Sequence, residues 1–340
     1  MTIISRTQKL SVVDGSKAYR ELRALVTKAG LLKRSYRYYT VLIVVIMAGF
    51  FLSAYHIITL SSIPWLILWA LVFSFFSVQL AGIMHDAGHR AIAKTTRMND
   101  LIGYMATGLL AMGYSSWKIK HNLHHAHTNQ EDEDPDVDMP ILSFTKEQYR
   151  ARRGFQRFLS RYQAYIYYPI GSLLNFFVRI TSLKFFILKF KPRYIPEIIW
   201  LLVGIVVMFI LPFFVFPLAK AVTLFIVVNA AVGFYLLNVF APNHKGMPVI
   251  AKDHKLSFLE QQVMTSRNII GSAITDFVYL GLNYQIEHHL FPDCPRNNLK
   301  KIRPYIMDLC RKMNLEYTEV GIIETNRIIL AELASIARES

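Results

Sequence analysis

Seven of the chain's eleven histidines fall in three short clusters: His85 and His89, then His121, His124 and His125, then His288 and His289. Residues three and four apart on a helix lie one above the other, so such a cluster aims imidazoles from one face. In the second cluster His121 shares a face with both His124 and His125, and the three rings can converge on one point or on two neighbouring points. One such pair is ordinary on a helix surface or in a core; three in one chain point to metal ligation. His244, in Pro242-Asn243-His244-Lys245-Gly246, is an eighth candidate ligand. A structural zinc takes four protein ligands and a catalytic one three, so eight imidazoles exceed one ion and suffice for two. Imidazole suits Fe, Zn, Cu and Ni alike, and ligand type alone does not name the metal. Neutral nitrogen ligands leave metal charge uncompensated and favour carboxylates behind them, accepting the outer N–H of a ligating ring. Asp86, Asp134, Asp136 and Glu287 are placed for that role. The three other histidines carry less: His56 reads as interfacial or helix-bonded, His127 follows the second cluster on the wrong face, and His254 sits in a charged loop.

The elements that must hold these side chains are apolar. The chain is 53% hydrophobic, and its apolar residues come in blocks, as in a membrane protein. A net charge of +15 would suit a nucleic-acid binder, but its distribution argues against one. Lys and Arg are absent from 41–84, and Lys220 alone occurs in 197–242. Basic residues flanking apolar spans follow the positive-inside rule and favour anionic headgroups. Cys294 and Cys310 form no disulfide framework and no CxxC, which is compatible with a reducing, cytoplasmic setting.

Four spans are expected, at 41–60, 64–84, 198–216 and 221–241, within a domain covering 41–310. The first, Val41 to Leu60, is 20 residues without charge, about 30 Å of helix. Short turns at Ser61–Pro64 and Pro217–Lys220 make two antiparallel hairpins. Both ends of the chain and all three clusters then lie on one basic side, taken as cytoplasmic. Residues 1–40 are polar and basic, with Arg6 and Lys9 near the start, and lack the apolar core of a signal peptide. Asp14 or Ser16 would cap a helix through about Lys28, lying on the membrane face. Residues 101–113 are too short to span and suit an interfacial or re-entrant helix. Glu131–Asp138 is an acidic loop. In Tyr162–Ile187, Arg179 and Lys184 interrupt an apolar stretch and Pro169 breaks it. A mid-bilayer charge costs roughly 2.5–3.5 kcal/mol, so interfacial amphipathic helices are expected there. Asn229 and Asn238 in the fourth span should face protein, water or a ligand. From Pro295 the chain reads as soluble helix burying Leu299, Ile302, Ile306 and Leu309, with a helical tail at 311–340.

The pattern His85-x3-His89, His121-x2-His124-His125 and Gln285-x2-His288-His289, with two apolar hairpins, resembles the membrane fatty-acid desaturase family over roughly 40–310. The third cluster, Asn283-Tyr284-Gln285-Ile286-Glu287-His288-His289-Leu290-Phe291-Pro292, is similar to that of front-end and acyl-lipid desaturases, where Gln stands in place of the first His. The resemblance implies an all-α membrane protein with a cytoplasmic helical cap holding two iron ions, O2 as oxidant, and a cis double bond formed in an acyl chain carried on lipid, CoA or carrier protein. Gln285 is a poorer ligand than histidine, and His244 or water would take its coordination place. Many front-end enzymes carry a fused cytochrome b5 domain with a His-Pro-Gly-Gly motif. That motif and GxGxxG are both absent here, so a separate electron donor of cytochrome b5 or ferredoxin type is expected. Lys118, Lys120, Arg150, Arg152, Arg153 and Arg157 would dock its acidic face or bind anionic lipid.

Rival chemistries fit less of the sequence. Acyl hydroxylation uses the same clusters. An intramembrane zinc protease would read His85-Asp86-x-x-His89 as an HExxH relative, but that motif needs Glu as base and leaves the other clusters idle. A metal transporter would place ionisable residues in its spans, and the four expected here contain no Asp, Glu, Lys or Arg.

Overall fold

The computed structural model describes residues 12–338 other than 138, 140 and 255. Arg6, Lys9 and Asp138 lie outside the described residues. The protein is an all-α membrane protein. Helices Tyr36–Thr59, Ile63–Gly88, Pro192–Ile210 and Leu218–Asn243 are each long and apolar enough to cross a bilayer. The chain divides into two compact units. One comprises Met1–Lys33, Lys120–Tyr168 and Val239–Ser340; the other comprises Arg34–Ile119 and Pro169–Asn238.

In the Arg34–Ile119 and Pro169–Asn238 unit, the first hairpin is longer than its uncharged stretches. Tyr36–Thr40 extend the first helix backwards, and His85–Gly88 carry the second into the first histidine cluster, with His89 as its C-cap. Hydropathy marks the hydrocarbon core, whereas backbone hydrogen bonding carries a helix on into polar sequence. The two helices bury Tyr39, Leu42, Ile46 and Phe50 with Leu80, Ile83, Met84 and Ala87. Gly49 permits their approach, since a Cβ there would fall 2.3 Å from the Phe76 ring.

The third span departs from the expected 198–216. Helix Ile195–Ile205 widens into a π turn at Val206–Ile210 and restarts as Pro212–Val215. Pro212 has no N–H to give and its ring crowds the preceding turn; the Leu211 N–H reaches back to Val206 O at 2.7 Å instead. Asn229 in the fourth span accepts from Asn175 Nδ2 at 2.7 Å, and Asn238 bonds back to Phe234 O, so both face protein groups.

Of residues 101–113, those through Leu110 belong to a helix, Thr96–Leu110, that starts earlier than expected because Thr95 caps it through Met98 N–H. The stretch around Tyr162–Ile187 forms Gln163–Gly171 and Leu174–Leu188, a pair apolar enough together for a broken span or a re-entrant loop. Arg179 is not a headgroup ligand there, as an interfacial helix would have it. It donates to Leu110 O at 2.7 Å and to Asn175 Oδ1 at 2.6 Å, with its guanidinium 4.6 Å from the centre of the Phe209 ring. Backbone and ring satisfy the cation inside the protein.

In the unit that holds residues 120–168 and 239–338, helix Val12–Lys28 begins ahead of Asp14 and Ser16, so neither is its cap; Asp14 instead faces the positive helix start. Nor is its apolar face left for lipid. Leu22 and Val26 pack with Leu259, Val263, Leu290, Phe291 and Leu299, and Tyr19 Oη donates to Leu290 O at 2.7 Å. Helix Arg296–Lys312 buries Leu299, Ile302 and Ile306 at the expected spacing, with Leu309 partly covered. The region after it is not all helix: Glu319–Gly321 pairs in parallel with Asn268–Ile270 before helix Ile322–Arg338.

Candidate metal centre

Helix Tyr114–Ala126 carries the second cluster and the short helix Gln285–Leu290 the third. Successive helical residues diverge by about 100°, so adjacent histidines face different ways. His121 and His125, four apart, join His288; His124 joins His289 and His244. Within each group the candidate ligand atoms all lie within 4.8 Å of one another. The groups adjoin, with His125 and His289 stacked at 4.1 Å between ring centres.

The His121–His125–His288 group is arranged nitrogen to nitrogen. His125 Nε2 is 3.2 Å from His121 Nε2 and 3.2 Å from His288 Nε2. Two imidazole nitrogens sharing one metal at about 2.0–2.1 Å stand roughly 3 Å or slightly more apart, so these spacings fit shared ligation.

In the second group, each ring has its Nδ1 committed elsewhere. His124 Nδ1 is 2.9 Å from Asp134 Oδ2, His244 Nδ1 is 3.1 Å from Thr265 O, and His289 Nδ1 is 2.7 Å from Gln262 Oε1. A carbonyl or carboxylate only accepts, so the proton sits on Nδ1; the Nε2 lone pair is left for a metal in His124 and His289, and in His244 it meets the Gln285 amide at 2.8 Å. Burial lowers the His244 pKa to about 3 and holds His289 well below the usual histidine range, keeping both neutral as ligation requires. His289 Nε2 is buried with no hydrogen-bond partner among the described residues. An orphaned acceptor beside two further donors is what a metal would satisfy.

The acidic loop holds its place through Asp134, which is 1% exposed. Its Oδ2 also accepts Asn129 N–H at 2.8 Å and its Oδ1 accepts Asp136 N–H at 2.8 Å. Asn129 makes that turn in the left-handed region, φ 53°, which asparagine tolerates. Burial pushes the Asp134 pKa up, but the His124 hydrogen bond together with the charges of His124 and Lys245 outweighs it, and the carboxyl stays below its usual value. Asp136 pairs with Lys120 Nζ at 2.7 Å and is 3.7 Å from His124 Nδ1.

Gln285 is four residues from His289 on the same helix face. Its Nε2 is 2.8 Å from His244 Nε2, and its Oε1 accepts Asn243 Nδ2 at 3.1 Å. Glu287 stands elsewhere than expected. On the opposite face of that turn it accepts from Asn268 Nδ2 at 2.8 Å and from Tyr317 Oη, and burial pushes its pKa up to about 7. It anchors the helix to the strand pair rather than orienting a ligating ring.

The other unit contains the first cluster. His85 and His89 rings lie 4.7 Å apart, and His89 N–H donates to His85 O at 3.1 Å, closing one helical turn. Asp86 Oδ1 is 3.3 Å from His85 Nδ1, as expected of a carboxylate behind a ligand, and Tyr39 Oη donates to Asp86 Oδ2 at 2.7 Å. His56 stacks on Trp69 at 4.0 Å, and His127 pairs with Gln130. Gln262, Thr265 and Thr128 were not foreseeable: single amides and hydroxyls between clusters have no spacing signature.

The proposed basic docking patch is partly consumed by the fold. Lys118 pairs with Asp100 at 2.6 Å and Lys120 with Asp136. Arg152 donates to Met139 O and Leu142 O, and Arg157 lies 3.8 Å over the Tyr149 ring. Arg150 and Arg153 remain exposed.

The sequence model described as "Fatty acid desaturase" matches residues 62–321. Among curated proteins, the chain is 30% identical to "Acyl-lipid (9-3)-desaturase" of Physcomitrium patens, over 94% of this chain and 63% of that protein. It is 30% identical to "Acyl-lipid (9-3)-desaturase" of Borago officinalis, over 97% and 77%, and 31% identical to "Delta(8)-fatty-acid desaturase" of Euglena gracilis, over 76% and 65%. The chain thus spans less than two thirds of the length of the moss and Euglena relatives.

Proposed function

The chain belongs to the fatty acid desaturase family, and on that premise we propose that it introduces a cis double bond into the acyl chain of a membrane lipid. In each turnover O2 takes two hydrogens from neighbouring carbons, together with two electrons and two protons, and leaves as two waters. The electrons are proposed to come from a small carrier of the cytochrome b5 or ferredoxin type. A lipid-carried substrate is supported by the words "acyl-lipid" in the moss and borage names and by the four apolar helices.

The observation that carries this reading is the pair of histidine groups, one with every Nδ1 held by an acceptor, which puts the lone pairs on Nε2. We propose that two iron ions are held by His121, His124, His125, His244, His288 and His289, with His85 and His89 completing the ligand set by their spacing. Bound there, iron supplies the redox chemistry by which O2 oxidises an unactivated chain. The protein's own part is to keep the imidazoles neutral and aimed. Asp134, Gln262 and Thr265 O hold the Nδ1 protons; Asp86 stands behind His85 in the same way. The distribution of Lys and Arg supports termini and histidine clusters on the cytoplasmic side.

Expression in a host without polyunsaturated lipids, followed by mass spectrometry of each lipid class, tests the reading. A new cis double bond with the wild-type chain and none with His124→Ala is the expected result. Unchanged acyl chains, or hydroxylated ones, would reject it.

A further inference from the structure

Gln262 lies outside all three histidine clusters, on helix Phe258–Met264, yet it is fully buried and touches two of them. Its Oε1 is 2.7 Å from His289 Nδ1 and 2.9 Å from Thr128 Oγ1, and its Nε2 donates to His125 O at 3.1 Å. Because the amide N–H is spent on a carbonyl, which end of the side chain is oxygen is fixed. His289 Nδ1 therefore faces the acceptor Gln262 Oε1, while the Thr128 hydroxyl, 3.2 Å away, is placed to donate to His124 O at 2.9 Å. The His289 proton stays on Nδ1 and its lone pair on the buried Nε2, which has no hydrogen-bond partner among the described residues.

We propose that Gln262 is a positioning residue of the metal centre, fixing the tautomer of His289 while tying the third cluster to the backbone of the second. The three rings of the His124–His244–His289 group then have three different acceptors behind them: a carboxylate, a backbone carbonyl and a neutral amide. A neutral acceptor polarises an imidazole less than a carboxylate, so His289 is a weaker donor than His124. Gln262 thereby sets an electronic asymmetry within one ligand group as well as a geometry.

The inference rests on the proposed iron reading, and the test separates the two. Full-length wild type, Gln262→Leu and Gln262→Glu are purified in detergent and measured for iron per chain, rate of iron loss to a chelator, and Mössbauer spectrum. Gln262→Leu removes the acceptor at similar volume; it should lose iron about 10- to 100-fold faster, the range for removing a group behind a metal ligand. Gln262→Glu keeps the acceptor at His289 Nδ1 but loses the N–H given to His125 O; it should retain iron clearly better than Gln262→Leu, with an altered spectrum because His289 becomes a stronger donor. Equal, slow iron loss in Gln262→Leu and wild type would overturn the proposal. Equal depletion in both variants would overturn it too, since only the packing of the amide would then matter. Wild type devoid of iron would instead strike the proposed function itself.

Discussion

Gln285 Nε2 and His244 Nε2 stand 2.8 Å apart, so the amide in the first place of the third cluster donates to the one nitrogen His244 has left after bonding Thr265 O. That nitrogen serves Gln285 or a metal, not both. On the proposed reading a metal displaces that amide, and His244, just past the fourth span, takes the place glutamine leaves in the histidine pattern. His244→Ala should lose roughly half the iron and nearly all turnover, since a group of three donors falls to two. Full iron by atomic absorption with normal turnover would remove His244 from the centre.

Asp134 accepts three N–H groups, one of them from His124. Asp134→Asn replaces a charged acceptor with an amide and should weaken metal retention about 10- to 100-fold in chelator competition. An unchanged competition curve would show that the loop, not the carboxylate, positions His124.

Glu287 is fully buried, and Tyr317 is one of its two side-chain donors. Tyr317→Phe strands that carboxylate oxygen and should cost about 1–3 kcal/mol of stability, read as a lower unfolding midpoint in detergent. Iron per chain should stay near normal, because Glu287 does not face the histidines. A variant as stable as wild type would contradict this assignment.

Much of the site was legible because metal ligation imposes a period on sequence. His121, His125 and His288 segregate from His124, His244 and His289 as helical geometry requires. The four spans were legible because a bilayer demands long uncharged runs. What escaped depends on tertiary packing. Gln262 and Thr265 reach the centre through a fold that brings distant segments together, and no local pattern marks them. Glu287 looked like a partner for its histidine neighbours, but one residue along a helix is a different face. Arg179 looked too costly for an apolar helix; the Leu110 carbonyl that receives it is 69 positions away.

Arg152 and Arg157 are held by the protein's own carbonyls and ring, which leaves Arg150 and Arg153 to meet the proposed electron donor. Charge reversal at Arg150 and Arg153 together should raise KM for the donor, more so at low salt, and leave acyl-substrate KM unchanged. Unaltered donor kinetics with weaker membrane association would assign the pair to lipid headgroups.

Metal content of the purified, full-length chain tests the central claim most directly. The account predicts two irons per chain in wild type and in His56→Ala and His254→Ala, with severe loss in His124→Ala and His289→Ala. Zinc in place of iron, or wild-type iron in the last two variants, would contradict it.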